Sequence, residues 1–413
     1  MNAEILSVGT ELLLGDIVNT NAQYIAKRLA DIGIGVYHQS VVGDNESRLY
    51  DAFSLALKRA DIVITTGGLG PTKDDLTKEI AAMISGKDMV MDGESLEWIK
   101  SYFLKIGRTM TESNIKQAYF PKGATIFHNN NGTAPGCAIE VGEKKIILLP
   151  GPPREMKPMF EESVIPYLIP FQEGILVSKV LRICGIGESQ VEDMLKDLID
   201  IQTNPTIALY AKTGEVTIRI TAKAPKKENA NALIKPIDEK IRSILGDNIY
   251  GEGIVSLEDV VANLLIKNNK TIAVAESCTG GLLAAKLINY PGISAVFKEG
   301  AVTYSNEAKV SRLGVNADTL KNHGAVSKET AKEMAKGICK TGGTDIGIST
   351  TGIAGPEGGT TQKPVGLVYV GLCIDGEVNY KRFQFRGNRQ NIRERAVISA
   401  LDWVRRELNK KYK

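Results

Sequence analysis

Short apolar runs alternate with segments of helical spacing over the first 170 residues of the chain. The runs have the length of strands, and the segments between them carry apolar residues at the period of an amphipathic helix. The pattern predicts strands at 3–8, 34–42, 62–64 and 145–149 and helices at 20–30, 47–58 and 75–84. Strands that alternate with helices favour a parallel sheet with right-handed crossovers. We therefore predict an α/β domain over residues 1–170.

A smaller module follows between residues 175 and 250. Residues 215–223 alternate polar and apolar side chains without a break, which predicts a strand with one solvated face. Residues 230–245 place their aliphatic side chains on one helical stripe. A strand at 176–184 and a helix at 188–197 complete a compact α+β module.

The two glycines of residues 251–253 (GEG) indicate the next domain boundary. Beyond it the pattern predicts an amphipathic helix at 257–265, strands at 271–275, 295–304, 346–351, 365–374 and 378–385, and a final helix from about 391. This order is typical of a second α/β domain. We therefore predict three domains, over residues 1–170, 175–250 and 254–413.

Composition narrows the class of protein further. Of 413 residues, 43% are apolar and 24% are charged, which is typical of a globular protein and argues against a disordered chain or a coiled coil. No apolar run is long enough to span a membrane, and the first residues lead into a strand without a leader-like segment, so we expect a cytoplasmic protein with no membrane partner. The net charge of +3 gives no electrostatic basis for binding nucleic acid.

Cysteine and histidine usage limits the available chemistry. The five cysteines form no CxxC pair, which argues against a disulfide framework and a structural zinc site. The three histidines, at positions 38, 128 and 323, are too few to support a His-rich metal site. The scarcity of histidine therefore favours catalytic groups other than imidazole.

A glycine-rich loop follows the predicted strand at 62–64. Residues 66–75 (TGGLGPTKDD) place Gly67, Gly68 and Gly70 between that strand and a helix. Glycines at such a strand end let backbone N–H groups approach phosphate oxygens, and Asp74 and Asp75 are suited to hold a divalent cation against them. The alternative is that the glycines only shape a turn and Asp75 caps the helix. The local pattern leaves both interpretations open.

Two further motifs carry a resemblance for the first domain. The glycine loop and residues 149–153 (LPGPP) resemble the molybdopterin-binding fold of cofactor-biosynthesis proteins, while residues 8–15 (VGTELLLG) and 150–156 (PGPPREM) are similar to the CinA family of competence/damage-inducible proteins. The resemblance implies a three-layer domain with an ADP-ribose pyrophosphatase activity that uses Mg²⁺, Mn²⁺ or Co²⁺. It also implies that the glycine loop contacts substrate and that the metal ligands come from Asp44, Asp74 and Asp75.

The third domain contains a candidate nucleophile. Ser277 lies in residues 276–281 (ESCTGG), between an apolar strand and a helix, where N–H groups at the helix start are placed to stabilise an oxyanion. The alternative is a plain helix cap. Cys278 is a rival nucleophile, since a helix N-terminus lowers the pKa of a thiol, and His323 is the only imidazole of this domain.

A lysine is the natural base for a serine when histidine is scarce. Residues 302–309 (VTYSNEAK) end a strand and begin a helix, so burial and the helix N-terminus would both favour a neutral Lys309. Tyr304 is placed to relay a proton or to hold the serine hydroxyl. Taken singly, Tyr304 suits a core position and Lys309 a surface position; their combination with Ser277 favours catalysis.

A third glycine-rich strand exit is found at residues 352–359 (GIAGPEGG). Gly352, Ala354 and Gly355 there are suited to contact a phosphate or a ribose, although a plain surface loop has the same composition. Arg386 and Arg389 are candidate phosphate ligands, or else form a solvated helix start.

The motifs of this domain resemble the C-terminal CinA domain, the nicotinamide mononucleotide (NMN) deamidase also called PncC. They are residues 275–281 (AESCTGG), 303–309 (TYSNEAK), 323–327 (HGAVS) and 351–356 (TGIAGP). The resemblance implies that Ser277 is the nucleophile, that Tyr304 and Lys309 assist it, and that no cofactor is needed. It further implies substrate contacts from Thr279, Gly280, Gly281, Gly352, Ala354, Gly355 and Arg389, and a homodimer.

The middle module is similar to the KH-type module of the same family. A KH domain that binds RNA needs a GXXG loop, whereas residues 184–188 (CGIGE) carry GxG followed by an acid. We therefore expect this module to act as a spacer or in dimerisation. For the whole chain we expect NMN and ADP-ribose as small-molecule partners. Two alternatives stay open: a nucleotidyl transferase of molybdopterin biosynthesis, which would leave Ser277 and Lys309 unused, and a non-enzymatic competence or DNA-damage accessory protein.

Overall fold

A computed structural model describes residues 1–171 and 174–412 of the chain. The protein forms two compact units, Met1–Val177 with Ala222–Ala232 and Ser178–Thr221 with Leu233–Lys413. The six-stranded sheet lies in the first unit and the five-stranded sheet in the second. Among the described residues, no helix is both long enough and apolar enough to cross a membrane.

The first domain contains eight strands and eight α-helices among its described residues. The strands are β1 (Asn2–Val8), β2 (Gly35–Val42), β3 (Ile62–Thr66), β4 (Met89–Met91), β5 (Tyr119–Pro121), β6 (Thr125–Phe127), β7 (Gly136–Val141) and β8 (Lys144–Leu149). The helices are α1 (Thr10–Leu14), α2 (Thr20–Asp31), α3 (Glu46–Arg59), α4 (Thr77–Ser85), α5 (Gly93–Lys105), α6 (Glu112–Ile115), α7 (Pro153–Met159) and α8 (Ile165–Leu168).

The main sheet of this domain is mixed, with the strand order β2-β1-β3-β8-β7-β6. The predicted parallel arrangement is confirmed for β2, β1, β3 and β8. The sequence pattern did not predict β7 and β6, which extend this sheet as antiparallel strands. The reason is local: β7 and β8 are joined by a two-residue turn at Gly142, whose φ is +60°, and so short a connection can only join antiparallel strands.

Alternating side chains of the central strands supply two cores. In β1, Ala3 and Ile5 pack on one face of the sheet while Leu6 and Val8 pack on the other. Helices α2, α7 and α8 cover the first face, and α3 and α4 cover the second. The expected three-layer α/β fold is therefore confirmed.

The middle module is a four-stranded sheet with helices. It comprises β9 (Ile175–Cys184), α9 (Glu188–Met194), α10 (Lys196–Asp200), β10 (Thr206–Lys212), β11 (Glu215–Ala224), α11 (Lys227–Leu245) and β12 (Ile249–Glu252). The strand order is β10-β11-β9-β12. This confirms the α+β prediction, except that the helix predicted at 188–197 is two short helices that meet at Leu195.

The C-terminal domain contains β13 (Ile272–Glu276), β14 (Phe297–Val302), β15 (Ile346–Gly352), β16 (Leu367–Ile374) and β17 (Glu377–Gln384), in the order β14-β13-β15-β16-β17. Its helices are α12 (Leu257–Lys267), α13 (Leu282–Ile288), α14 (Asn306–Leu313), α15 (Ala317–His323), α16 (Lys328–Gly342) and α17 (Arg389–Lys411). Helices α12, α13 and α17 pack on one face, and α14 and α16 on the other. β14 is shorter than predicted because Gly292, with φ of +89°, begins a 3-10 turn at Ile293–Ala295.

Candidate active site

Ser277 lies at the carboxyl edge of the C-terminal sheet. It follows β13 directly, and its backbone N–H donates to the carbonyl oxygen of Thr350 on β15 at 2.9 Å. β14 pairs with β13 in parallel, with Val302 opposite Glu276. Because the carboxyl ends of parallel strands meet at one edge of a sheet, the segments that follow β13, β14 and β15 converge beside Ser277.

Lys309 reaches Ser277 from the first turns of α14. Its Nζ lies 3.2 Å from the Ser277 Oγ, and the lysine is only 1% exposed although it carries a long polar side chain. The side chain of Ser305 caps α14 by accepting from the N–H of Ala308. The cap fixes where the helix begins, and so directs Lys309 back towards the end of β14.

Backbone carbonyls surround the amine of Lys309. The oxygens of Thr303, Tyr304 and Ser305 lie 2.9, 3.1 and 3.4 Å from Nζ. Burial lowers the pKa of Lys309 because the charged form loses its hydration. Nζ also donates to the Ser277 hydroxyl oxygen. Once the amine has lost a proton, its lone pair can instead accept the hydroxyl proton of Ser277, so the arrangement can serve as a nucleophile beside a general base.

Tyr304 and Arg389 are brought together next to this pair. The phenol oxygen of Tyr304 accepts from Arg389 at 3.2 Å, while a second Arg389 nitrogen donates to the carbonyl of Gly355 at 2.8 Å. Tyr304 is 62% exposed, so its ring is available to a ligand rather than packed in the core. The side chain of Tyr304 thus accepts a hydrogen bond from Arg389, and its backbone carbonyl oxygen accepts one from Lys309.

The loop after Ser277 is held by internal bonds. The side chain of Thr279 is fully buried, with its hydroxyl 2.6 Å from that of Thr350, and its carbonyl accepts from Arg393 at 2.7 Å. Gly280 and Gly281 have φ of +59° and +92°, a backbone conformation that favours glycine. The three predicted substrate contacts therefore form a rigid turn whose backbone lies beside the nucleophile.

The glycine loop of the first domain is tightly packed against other residues of the same domain. A Cβ at Gly67 would lie 2.0 Å from the carbonyl oxygen of Val8, and one at Gly68 would lie 2.1 Å from the hydroxyl of Thr77. A Cβ at Gly70 would lie 2.4 Å from a carboxylate oxygen of Asp75. The turn-shaping interpretation thus has direct structural support, while the proposed contact with phosphate stays a prediction.

The three carboxylates predicted to bind metal have other partners. Asp44 accepts from the N–H and the hydroxyl of Thr10 at 2.9 Å each, and Asp75 accepts from the N–H of Thr72 at 3.0 Å. Hydrogen bonding to Thr72 also lowers the pKa of Asp74. Across residues 1–171 and 174–412, no three His, Cys, Asp or Glu side chains form a group suited to a metal ion. Asp75 also does not cap α4, which begins after Leu76.

A cleft of about 280 Å³ opens at the carboxyl edge of the first sheet. Its walls come from the ends of β1 and β3, from the segment that runs from α1 into α2, and from the loop after β8. The lining residues are Val8, Glu11, Leu12, Ile17, Val18, Asn19, Thr20, Asn21, Thr66, Gly151, Pro152 and Pro153. The proline-rich motif after β8 therefore lines this cleft, through Gly151, Pro152 and Pro153.

Comparison with known proteins identifies the family. Three domain descriptions match: "Probable molybdopterin binding domain" over residues 4–169, "Damage-inducible protein CinA KH domain" over 178–251 and "CinA C-terminal domain" over 254–408. A competence-damage inducible protein of Clostridium novyi (strain NT) is 63% identical over 411 residues, which is 100% of this chain and 99% of the relative. The chain belongs to the CinA family.

Two further proteins are similar to this chain. A competence-damage inducible protein of Clostridium acetobutylicum is 62% identical over 408 residues, or 99% of each chain. Among solved structures, a CinA superfamily protein from Klebsiella pneumoniae 700603 is 38% identical, with 37% of this chain and 96% of that chain covered and a TM-score of 0.37.

Glu276 is a residue of this CinA-family site that sequence reasoning missed. It is 1% exposed, and its carboxylate accepts from the N–H groups of Gly281, Leu283 and Ala284 at 3.0, 3.0 and 2.8 Å. The expectation that these amides serve as oxyanion donors is therefore corrected, because Glu276 occupies all three. The sequence offers one signal for Glu276: it is a charged residue at the end of an otherwise apolar strand, directly before the serine.

Cys278 does not have the properties of a nucleophile. It is buried, and burial raises the pKa of its thiol to about 12, opposite to the lowering expected at a helix start. Helix α13 begins only at Leu282, four residues later. The Nδ1 of His323 lies 3.9 Å from a carboxylate oxygen of Glu329, which places its ring beside α16. The geometry of this CinA-family site therefore favours Ser277.

Proposed function

We propose that the C-terminal domain hydrolyses the carboxamide of NMN to nicotinate mononucleotide and ammonia. The observation that carries the proposal is the 3.2 Å contact between the Ser277 hydroxyl and the buried amine of Lys309. Burying a lysine without a carboxylate partner costs free energy, and its placement against a serine gives that burial a chemical purpose. The family resemblance supplies the substrate, since CinA C-terminal domains include NMN deamidases.

The chemistry begins with a proton transfer. Neutral Lys309 removes the hydroxyl proton of Ser277 as Oγ attacks the carboxamide carbon, and the carbonyl π electrons move to its oxygen. The tetrahedral intermediate then expels the amide nitrogen, which takes a proton from the Lys309 ammonium and leaves as ammonia. Lys309 next removes a proton from water as the water oxygen attacks the acyl carbon, and it then returns that proton to the Ser277 Oγ as the ester bond breaks. Nicotinate mononucleotide is released, its new carboxyl group ionises to solvent, and Ser277 and neutral Lys309 are regenerated.

Tyr304 and Arg389 are positioned for the nucleotide part of the substrate. The guanidinium of Arg389 lies between the phenol of Tyr304 and the 352–359 loop, bonded to neutral acceptors on both sides. It carries its charge without a carboxylate partner in these bonds, so it can pair with the substrate phosphate. We propose that Arg389, with the backbone of Gly352–Gly355, holds the phosphoribosyl group while Ser277 meets the carboxamide.

The first domain is proposed to hydrolyse ADP-ribose. The supporting observation is the 280 Å³ cleft at the carboxyl edge of its parallel strands, where open α/β sheets bind ligands. Asp44, Asp74 and Asp75 do not form a ready site for a divalent cation, so we assign no metal-assisted step to them. A nucleotidyl transferase would use the same cleft but would leave Ser277 and Lys309 without a role.

One experiment separates these functions. The full-length protein is incubated with NMN and, separately, with ADP-ribose, and ammonia and AMP are measured. Ser277→Ala is expected to abolish ammonia release and to leave ADP-ribose cleavage unchanged, because Ser277 lies in the C-terminal domain. Wild-type protein that releases no ammonia from NMN would contradict the deamidase proposal, and failure to cleave ADP-ribose as well would favour a non-enzymatic accessory role.

A further inference from the structure

A cavity of about 670 Å³ lies within the second compact unit. Its walls come from the GxG loop at 185–187 and the β10–β11 turn of the middle module, and from β17 and α17 of the C-terminal domain. Of the described residues that line it, none belongs to the Ser277–Lys309 site or to the cleft of the first domain. Its volume is within the range of pockets that bind small molecules, so the proposed reactions leave a further candidate ligand site unassigned.

One wall of the cavity is fixed by buried ion pairs. Asp402 on α17 is 7% exposed, and its carboxylate accepts from Arg405 at 2.6 Å and from Arg406 at 2.8 Å. Arg406 also donates to the side chain of Asn248 in the middle module at 3.0 Å. A Cβ at Gly185 would lie 2.9 Å from a nitrogen of Arg406, which accounts for the first glycine of the GxG loop. The middle module and α17 therefore form a preorganised wall.

The cavity carries a surplus of positive charge. Four of its lining side chains are cationic, namely Lys212, Lys381, Arg395 and Arg406. Arg406 is paired with Asp402, whereas none of the other three has a carboxylate within ion-pair distance in residues 1–171 and 174–412. Unpaired cations that line one cavity favour an anionic ligand group, and phosphate suits both lysine and arginine.

The lining acids are fewer than the cations and are mostly engaged. Asp402 lies between two arginines, and Glu215 accepts from the phenol of Tyr250. Glu188 is exposed at the start of α9. The two less exposed carboxylates are thus bonded to other side chains, which suits a site that holds a ligand and does not transform it.

Flat aromatic surface lies beside the cations. Lys381, Phe383 and Phe385 occupy alternate positions on one face of β17 and its continuation, and all three line the cavity. The two phenyl rings are nearly parallel, with an interplanar angle of 9° and centroids 5.4 Å apart. Both are only partly buried, so they can stack against a planar group, and the amine of Lys381 lies 4.9 Å from the ring centre of Trp403. A planar ring joined to an anion is the chemistry of a nucleotide.

We propose that this cavity binds a nucleoside phosphate, with the base against the two phenylalanine rings and the phosphate beside the three unpaired cations. The proposal goes beyond both hydrolytic activities, because the site lies apart from the residues that carry them. Walls from four chain segments enclose a volume suited to a small molecule, which favours a free nucleotide over a strand of RNA.

The test uses Trp403 as a local probe. Trp403 lines the cavity, and the only other tryptophan of the chain is Trp98 in the first domain. In full-length Trp98→Phe, fluorescence therefore reports on the surroundings of Trp403. The ligands are AMP, GMP, CMP and UMP, the matching nucleosides and inorganic phosphate. At least one monophosphate is expected to change the emission in a saturable way, and its nucleoside and phosphate should each bind about tenfold or more weakly, because each lacks one half of the contacts.

Two charge variants locate the effect. Lys212 is exposed, so Lys212→Glu removes a cation from the cavity without loss of core packing, and the monophosphate is expected to bind about tenfold or more weakly. Lys196→Glu is the matched control, since Lys196 is an exposed lysine of the same module that does not line the cavity. If Trp98→Phe does not fold, calorimetry on the wild type and on both charge variants gives the same comparison.

The inference fails if no monophosphate changes Trp403 emission at millimolar concentration, or if the nucleoside binds as tightly as its monophosphate. It also fails if Lys212→Glu and Lys196→Glu bind the monophosphate alike, because the signal would then come from another site. Tighter binding of a single-stranded RNA oligonucleotide than of any monophosphate would assign the cavity to nucleic acid instead. Turnover of NMN or ADP-ribose does not enter the measurement, so its outcome and that of the proposed function are independent.

Discussion

The amine of Lys309 lies 3.2 Å from the hydroxyl of Ser277, although the two residues are 32 positions apart and come from different strand–helix connections. The parallel pairing of β13 with β14 brings them together. Because Lys309 is buried among carbonyl oxygens, the contact predicts properties that an exposed lysine would not show.

The first prediction is a pH dependence of NMN hydrolysis. Only the neutral form of Lys309 can accept the Ser277 proton, and burial lowers its pKa below the ordinary lysine value. The kcat is therefore expected to rise about tenfold per pH unit below this pKa and to level off above it. The pH profile of ammonia release checks this. A kcat that falls with rising pH through the alkaline range would contradict a lysine base.

A second prediction concerns the pH dependence of stability. With its pKa lowered by folding, Lys309 binds fewer protons in the native state than in the unfolded chain between its folded pKa and about 10.4. The stability of the wild type relative to Lys309→Met should therefore increase as pH rises through that window. Denaturant unfolding at several pH values measures it. Lys321→Met, at an exposed lysine, is the control and should show no such slope.

Cys278 gives a third prediction. Since burial holds its pKa near 12, the thiol stays protonated at neutral pH and reacts slowly with alkylating reagents. Cys278→Ala is expected to keep kcat within a few-fold, at a stability cost of about 1 kcal/mol for the lost packing. Rapid inactivation of the wild type by iodoacetamide, accompanied by loss of activity in Cys278→Ala, would point to a thiol mechanism instead.

The fourth prediction assigns a positioning role to Glu276. Its carboxylate holds three amides of the turn after Ser277, and Gln at this position places an NH₂ group against some of them. Glu276→Gln is expected to lower kcat by about tenfold or more with a smaller change in KM, since a misplaced nucleophile affects the transition state more than binding. A thermal unfolding curve run in parallel separates this effect from global destabilisation. If a distant buried variant that is destabilised to the same extent as Glu276→Gln loses kcat to the same extent, the positioning role would be contradicted.

The sequence predicted the fold and the order of the strands and turns that carry the candidate site better than the contacts within that site. The strand before Ser277 and the glycine turn after it follow from local pattern. The orientation of the Glu276 side chain does not follow from it, because every residue of β13 is buried and no alternation of polar and apolar residues distinguishes the two faces of the strand. The 3.2 Å approach of Lys309 depends on the register of β13 with β14, which is a long-range property that local periodicity does not contain.

In the first domain the sequence located a loop but did not reveal why its residues are needed. Its glycine loop was recognised, but the reason for Gly67 lies in the carbonyl of Val8, at the end of another strand. The same holds for Asn21, whose amide nitrogen donates to Thr66 and Gly151 at distant positions in the sequence. Residue types at strand ends indicated where to look, and only the packed structure shows which atoms are engaged and which are free.

The Ser277–Lys309 pair is tested most directly by ammonia release from NMN. Ser277→Ala and Lys309→Ala are each expected to lose about three orders of magnitude in kcat, roughly 4 kcal/mol, and the double variant should be little worse because the two residues act as a unit. Cys278→Ala serves as the adjacent control and should stay active. If Ser277→Ala hydrolyses NMN at the wild-type rate while Cys278→Ala is inactive, the serine–lysine account is wrong.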